Sequence, residues 1–137
     1  MNTPNITRQL VAEEDRISHT AKLFGLNFPM SLEPAIFNVA SNLSCDYGGG
    51  FWEFYELSNG GFYMAPASDK QFRVSCENGF EGRMSADAFG IVCCLYAYSH
   101  LSFREDAFAQ TCAEHFHLLR EFALDHAETG GITRAID

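Results

Sequence analysis

The run from Tyr47 to Pro66 constrains this chain more than any other stretch. Two aromatic-rich segments, Phe51 to Leu57 and Phe62 to Pro66, flank Asn59-Gly60. An Asn-Gly pair tolerates the positive φ angles of a two-residue type I′ turn, so the run reads as a β-hairpin. Such a turn pairs Leu57 with Phe62, Glu56 with Tyr63, Tyr55 with Met64 and Phe54 with Ala65. Apolar side chains then occupy both faces of the ladder, and a sheet that is greasy on both sides has to be covered on both sides.

The rest of the chain supplies the cover. After a short polar arm (residues 1–10), residues 12–24 read as an amphipathic helix with Ile17, Ala21 and Phe24 on one stripe and Gly25 as its stop. Ser31 reads as the N-cap of a helix over residues 32–43, with Glu33 and Pro34 tolerated in its first turn and Ile36, Val39, Ala40 and Leu43 facing inward. Beyond the hairpin, Phe72, Val74 and Cys76 alternate with Arg73, Ser75 and Glu77, the period-two pattern of a half-buried strand. Asn78-Gly79 turns the chain into a short fourth strand over residues 80–84. Ser85 caps a helix that is apolar almost all round, which makes it the central buried one. Ser102 and Glu105 have capping-box spacing before a last helix with Phe108, Cys112, Phe116, Leu119 and Ala123 along one stripe. Gly130-Gly131 is expected to end that helix and free a tail over residues 131–137. The fold class is therefore α+β, a single domain in which a small antiparallel meander of three or four strands packs with helices from the N- and C-terminal parts.

A chain of 137 residues is enough for one core. No basic-plus-apolar leader opens it, and the longest apolar stretch (residues 88–98) is too short to span a bilayer of ~30 Å, so a cytoplasmic location is expected. Five cysteines with no Cys-x-x-Cys spacing indicate reduced thiols rather than a disulfide framework or a zinc site. The net charge of −9, from 18 acids and 9 bases, opposes direct binding to nucleic acid, whose affinity comes mainly from Lys and Arg at phosphates. The acids are dispersed among Arg16, Lys22, Arg73, Arg104 and Arg120, unlike the unbroken stripe that a mimic of DNA requires.

Candidates for chemistry fail on geometry. Cys112, His115 and His117 cannot converge on one ion from a helix, because His117 points about 200° away from His115. Cys93 and Cys94 lie within the most apolar helix, where burial raises a thiol's pKa. Glu53 and Glu56 are three apart on a strand and face opposite sides. Gly48-Gly49-Gly50 lacks the Lys-Ser/Thr and the helix of a phosphate loop.

As a whole, the Tyr47 to Pro66 run resembles the signature of the ArdB/KlcA antirestriction proteins. Similar pieces occur in the same order along nearly the whole chain: Glu14-Asp15-Arg16-Ile17-Ser18, Leu23-Phe24-Gly25, Met84-Ser85-Ala86-Asp87-Ala88-Phe89-Gly90 and Thr133-Arg134-Ala135-Ile136-Asp137. Asn38-Val39-Ala40 and Cys93-Cys94 match no pattern of the family. The resemblance implies a protein of a plasmid or other mobile element that counteracts host type I DNA restriction, acting by protein contacts with the restriction-modification complex or a factor controlling it. It implies no catalysis, cofactor, metal or membrane. Candidate partner-contacting residues are Trp52, Glu53 and Tyr55 on the hairpin, Arg134, Ile136 and Asp137 in the tail, and Arg16 and Glu33 near the N-terminus. The competing readings are a DNA-mimic inhibitor of the endonuclease and a small Cys/His-dependent enzyme.

Overall fold

The computed structural model describes residues 5–137. In chain order the elements are β1 (Arg8–Leu10), a 3-10 turn (Glu13–Asp15), α1 (Arg16–Phe24), a π-type turn (Phe28–Leu32), α2 (Glu33–Leu43), β2 (Trp52–Leu57), β3 (Phe62–Pro66), β4 (Gln71–Ser75), β5 (Glu81–Ser85), α3 (Ala86–Leu101), α4 (Ala107–Leu124) and α5 (Thr129–Ile136). The α+β class holds, and all strand pairs are antiparallel. The strands divide into two sheets, β1-β2-β3 and β4-β5, rather than one continuous meander. Arg8–Leu10 of the expected arm pair with β2 as an edge strand, while residues 1–4 lie outside the described residues.

Local chemistry at the turns sets the register. The hairpin pairs Glu56 with Phe62, Tyr55 with Tyr63 and Phe54 with Met64, one residue away from the register expected of a two-residue turn. A type I′ turn needs positive φ at both central residues, yet no described non-glycine residue has positive φ. Asn59 instead uses its side-chain carbonyl to accept the Gly61 N–H at 3.0 Å, and Gly60 alone takes a φ of 93°. The result is a three-residue loop ending in a glycine bulge, with the Leu57 N–H bonded to Gly61 O at 2.9 Å. Asn78-Gly79 repeats the arrangement: Asn78 accepts the Phe80 N–H at 2.9 Å and Gly79 has a φ of 92°. Each asparagine amide also pins its turn to a helix, Asn59 to Leu118 O at 2.9 Å in α4 and Asn78 to Arg134 O at 3.1 Å in α5.

In this register Phe62 and Met64 direct their backbone polar groups away from β2, toward the open edge of the sheet. An open edge is a template for wrong pairing, and α3 closes it. The Met64 N–H lies 3.4 Å from the Cys94 thiol, that thiol faces Met64 O at 3.5 Å, and the Tyr98 hydroxyl donates to Phe62 O at 2.8 Å. Pro66, which has no N–H to satisfy, ends the strand. The approach needs a glycine: a Cβ at Gly90 would stand 2.4 Å from Ala65 Cβ and 2.5 Å from Met64 O.

Both faces of the sheet are covered, as the apolar pattern demands. On one, Phe54 and Phe62 meet Phe28 from the π-type turn and Phe24 from α1, with centroids 5.6–5.8 Å apart in edge-to-face pairs. On the other, Tyr63 stacks between Tyr55 at 5.0 Å and Phe122 of α4 at 5.7 Å. The small sheet packs on α3 through Phe72, which stacks on Phe89 at 4.7 Å. Its β4 strand alternates buried and exposed residues as its sequence does.

Helix boundaries moved where local hydrogen bonding overrode pattern. Ser31 caps nothing; its hydroxyl accepts from Arg104 at 3.0 Å, and the π-type turn before Glu33 runs directly into α2. The Glu33 N–H reaches back to Phe28 O, and the following Pro34 has no N–H with which to tighten the turn. Asp106, not Ser102, caps α4 by accepting the Ala109 N–H at 3.2 Å. Ser85 caps α3 as expected.

Gly90→Ala forces the α3 and β3 backbones apart and is expected to destabilise the protein by about 1–3 kcal/mol, measured as a lower urea midpoint. An unchanged midpoint would contradict the tight α3–β3 approach.

Candidate functional site

A polar recess opens on the tyrosine face of the three-stranded sheet, about 380 Å³ in size. Its floor is Asp87, in the first turn of α3. Asp87 Oδ1 accepts from Arg8 Nη1 at 2.5 Å and from the Tyr63 hydroxyl at 2.7 Å, while Oδ2 lies 2.8 Å from His126 Nε2. His126 Nδ1 accepts the Glu128 N–H at 2.9 Å, which places the ring proton on Nε2, against Asp87. Glu128 in turn accepts the Ser85 N–H at 2.9 Å and the Ser85 hydroxyl. At the rim, the Tyr55 hydroxyl donates to Glu53 at 2.6 Å and the Arg8 guanidinium lies 4.3 Å above the Tyr55 ring.

Burial pushes the Asp87 carboxyl up, but hydrogen bonds from His126 and Tyr63 and the charge of Arg8 outweigh it and hold the pKa below 3.8. Burial and the Asp87 charge push the Tyr63 hydroxyl far up, and burial with the Glu53 bond raises Tyr55 to about 12. Both phenols therefore remain donors. Both nitrogens of His126 are engaged, leaving no free lone pair for proton transfer. The cluster fastens β1, β3, α3 and the α4–α5 connection together.

The opposite face of the sheet carries an apolar groove of about 540 Å³, lined in part by Ile17, Ala21, Leu26, Phe28, Pro29 and Phe54. Ile17 was expected to be buried with Phe24, yet it is 85% exposed, and Leu26 and Met30 are 81% and 76% exposed. Thr20 takes the inward position, which it can do because its hydroxyl returns to Arg16 O at 2.9 Å. Arg16 and Glu33 both line the groove. The Arg16 guanidinium lies over Phe54 at 4.3 Å and Phe51 at 4.6 Å. Burial raises the Glu33 carboxyl against the opposing charge of Arg16.

The other sequence candidates divide. Glu53 and Tyr55 sit in the recess. Trp52 does not reach the surface: it is 3% exposed, wedged between Phe37 and Tyr47, with its indole N–H donating to the Tyr47 hydroxyl at 3.2 Å. It is a core residue, because its strand position faces α2. The tail is not free either. Gly130 and Gly131 lie inside α5, which buries Ile132 and Ala135 and accepts a bond from Tyr96 at Ala135 O at 2.7 Å. Arg134 and Asp137 are exposed and Ile136 is half-buried. Sequence reasoning missed Arg8, Tyr63, Asp87 and His126; Asp87 reads locally as an ordinary first-turn acid.

Four thiols, Cys76, Cys93, Cys94 and Cys112, and His115 are interior groups, whereas Cys45 is exposed. Burial pushes Cys93 well up, Cys94 to about 12 and Cys112 to about 11. His115 is buried against Phe24 at 4.7 Å and Tyr98 at 5.7 Å, and burial lowers its pKa to about 4. His117 on the same helix is exposed. Among the described residues, no helix is long and apolar enough to cross a membrane.

Comparison with known proteins places this architecture. The antirestriction protein family model matches residues 45–137. An antirestriction protein KlcA from Escherichia coli is 44% identical over 132 residues, covering 93% of this chain and 90% of the relative. A second KlcA from the same species is 38% identical over 143 residues, covering all of both. The uncharacterised protein YafX of strain K12 is 42% identical over 132 residues, covering 93% and 85%. A solved structure from work on KlcA and ArdB superposes with a TM-score of 0.91 over the whole of both chains at 38% identity. That work describes a novel fold and antirestriction activity against type I systems in vivo but not in vitro. The chain belongs to the ArdB/KlcA antirestriction protein family.

Two measurements test the buried ionisable groups. His115 protonates in the fold only as pH falls to about 4, while in the unfolded chain it protonates around 6.5. Its contribution is therefore fully present above pH 6.5 and is lost as pH falls through that window, at about 1.4 kcal/mol per pH unit. His115→Phe should flatten the stability profile there, as read by urea unfolding at successive pH values; an unchanged slope would refute the assignment. Asp87→Asn should cost about 2–3 kcal/mol at neutral pH, because three donors lose a charged acceptor. With its folded pKa depressed, Asp87 stabilises above 3.8 and loses that contribution as pH falls through the folded value, so variant and parent converge in acid.

Proposed function

We propose that this protein counteracts type I DNA restriction in the bacterial cytoplasm, on behalf of a plasmid or other mobile element, through protein–protein contacts rather than catalysis or DNA binding. The observation that carries this reading is the superposition of the whole chain on a structure from work reporting that activity, at a TM-score of 0.91. Activity described in vivo but not in vitro fits a target or mediator present in the cell, and it weighs against a DNA mimic, which would inhibit the purified endonuclease. The buried thiols with raised pKa values, and a His126 with both nitrogens engaged, supply no nucleophile–base pair for the enzyme reading. The net charge of −9 weighs against a grip on phosphates.

The contact surface we assign is the apolar groove beside Arg16 and Glu33. Ile17 and Leu26 are too exposed to stabilise the fold, and they line a concave apolar strip with a charged end, the make-up of an interface core and its rim. A component of the restriction pathway, or of the machinery that controls it, is the occupant.

Plating of unmodified phage on cells with an active type I system tests both levels. The whole protein should restore plating, and Ile17→Asp with Leu26→Asp should reduce protection about tenfold or more, the scale of a lost interface anchor. Circular dichroism confirms that the variant is folded. No rescue by the well-expressed parent would overturn the antirestriction reading; full protection by the variant would remove the groove from it.

A further inference from the structure

The outer face of the β4–β5 hairpin carries a charge arrangement that the fold does not require. Arg73 and Arg83 are direct cross-strand partners. The Cys76 N–H bonds to Phe80 O, so by the alternation of an antiparallel ladder the Arg73–Arg83 pair is a non-hydrogen-bonded one, where side chains approach most closely. Like charges directly opposite each other are destabilising. Lys70 joins them in lining one open pocket of about 540 Å³, so three of the nine cations of a chain with net charge −9 share a single surface depression.

Only one of the three is neutralised. Asp46 holds Arg73 in a fork, with Nε at 3.2 Å and Nη2 at 3.1 Å, and also accepts the Arg73 backbone N–H at 2.9 Å. That clamp fixes the Arg73 guanidinium at the pocket wall. Among the described residues, Arg83 and Lys70 have no carboxylate within ion-pair distance, and both are exposed. An oriented arginine, a second arginine directly across from it and a lysine at the pocket edge form a receptor for an oxyanion.

We propose that this pocket binds a carboxylate of an acidic protein segment, which would bridge Arg83 and Lys70 and relieve the cross-strand repulsion. The acidic surroundings disfavour a ligand as densely charged as a nucleic-acid backbone more than one carboxylate seated in the pocket. Glu81 lies on the same outer face two residues from Arg83, Asp46 occupies the pocket wall, and the chain as a whole repels a duplex carrying one charge per ~1.7 Å. A single planar carboxylate matches an arginine fork without needing a long basic track. The surface is separate from the apolar groove and stands whether or not the antirestriction reading does, because it is tested on purified protein.

The test is fluorescence anisotropy with a labelled poly-glutamate peptide at low and moderate salt, together with amide chemical-shift mapping. The expected result is salt-sensitive binding, with shifts centred on Lys70, Arg73 and Arg83. Binding should be lost in Arg83→Glu and retained in Arg134→Glu, a control on the exposed face of α5. Circular dichroism, and amide shifts unchanged away from the pocket, confirm that Arg83→Glu is folded. Absence of binding, or binding unchanged in Arg83→Glu, would overturn the proposal. Preferential binding of a labelled DNA duplex at the same residues would replace the acidic segment with phosphate.

Discussion

The docking of α3 along the open edge of β3 is the contact on which the rest of this structure depends. Backbone groups at a sheet edge must find partners, and in most proteins another strand or water supplies them. Here a thiol and a phenol on one helix do it, and only because Gly90 has no side chain to hold the backbones apart. Once α3 is fixed there, its remaining surface is available to α2, α4, α5 and the small sheet, which explains a helix apolar on nearly every side. Cys94 therefore has a structural task suited to a small, weakly polar side chain.

Around that axis the asparagine turns and the Asp87 cluster act as fasteners. Asn59 and Asn78 each spend their carbonyl on the turn and their amide on a helix, so hairpin geometry and helix docking are set by the same side chain. Asp87 does the equivalent at the far end of β3, drawing in Arg8 from β1 and His126 from the α4–α5 connection. A residue with one partner fixes an element; a residue with three fixes how elements sit relative to each other.

Much of this was legible in sequence, and the failures have definite causes. The hairpin, the alternation of β4 and the buried α3 each rest on a local pattern that one segment reports by itself. The hairpin register could not be read, since two- and three-residue loops both use Asn-Gly and the choice turns on whether asparagine adopts positive φ or bonds through its side chain. Ile17 fell on the expected stripe by spacing, but Thr20 could hide its hydroxyl on Arg16 O and so took the inward place. Arg8 and Asp87 are 79 residues apart, so no local spacing could announce the cluster. Arg16 and Glu33, named as candidates without a local pattern joining them, are brought by the fold to one groove.

The distribution of committed and uncommitted groups bears on where function resides. Asp87 is engaged by Arg8, Tyr63 and His126, Glu128 is engaged by Ser85, and the deep thiols and His115 are held in their neutral forms by burial. An interior whose ionisable groups are either bonded into such a cluster or held neutral by burial has little left for proton or group transfer. The groups without internal tasks lie outside: the exposed aliphatic side chains around the groove, and Arg83 with Lys70 at the basic pocket. These two surfaces differ in chemistry and lie on different parts of the molecule, one apolar with a charged end and the other an oriented basic pocket. A protein that retains solvent-exposed isoleucine and leucine, and keeps two arginines directly opposed, gives up stability at both places. Contacts with other proteins are the physical setting in which both features would be stabilising.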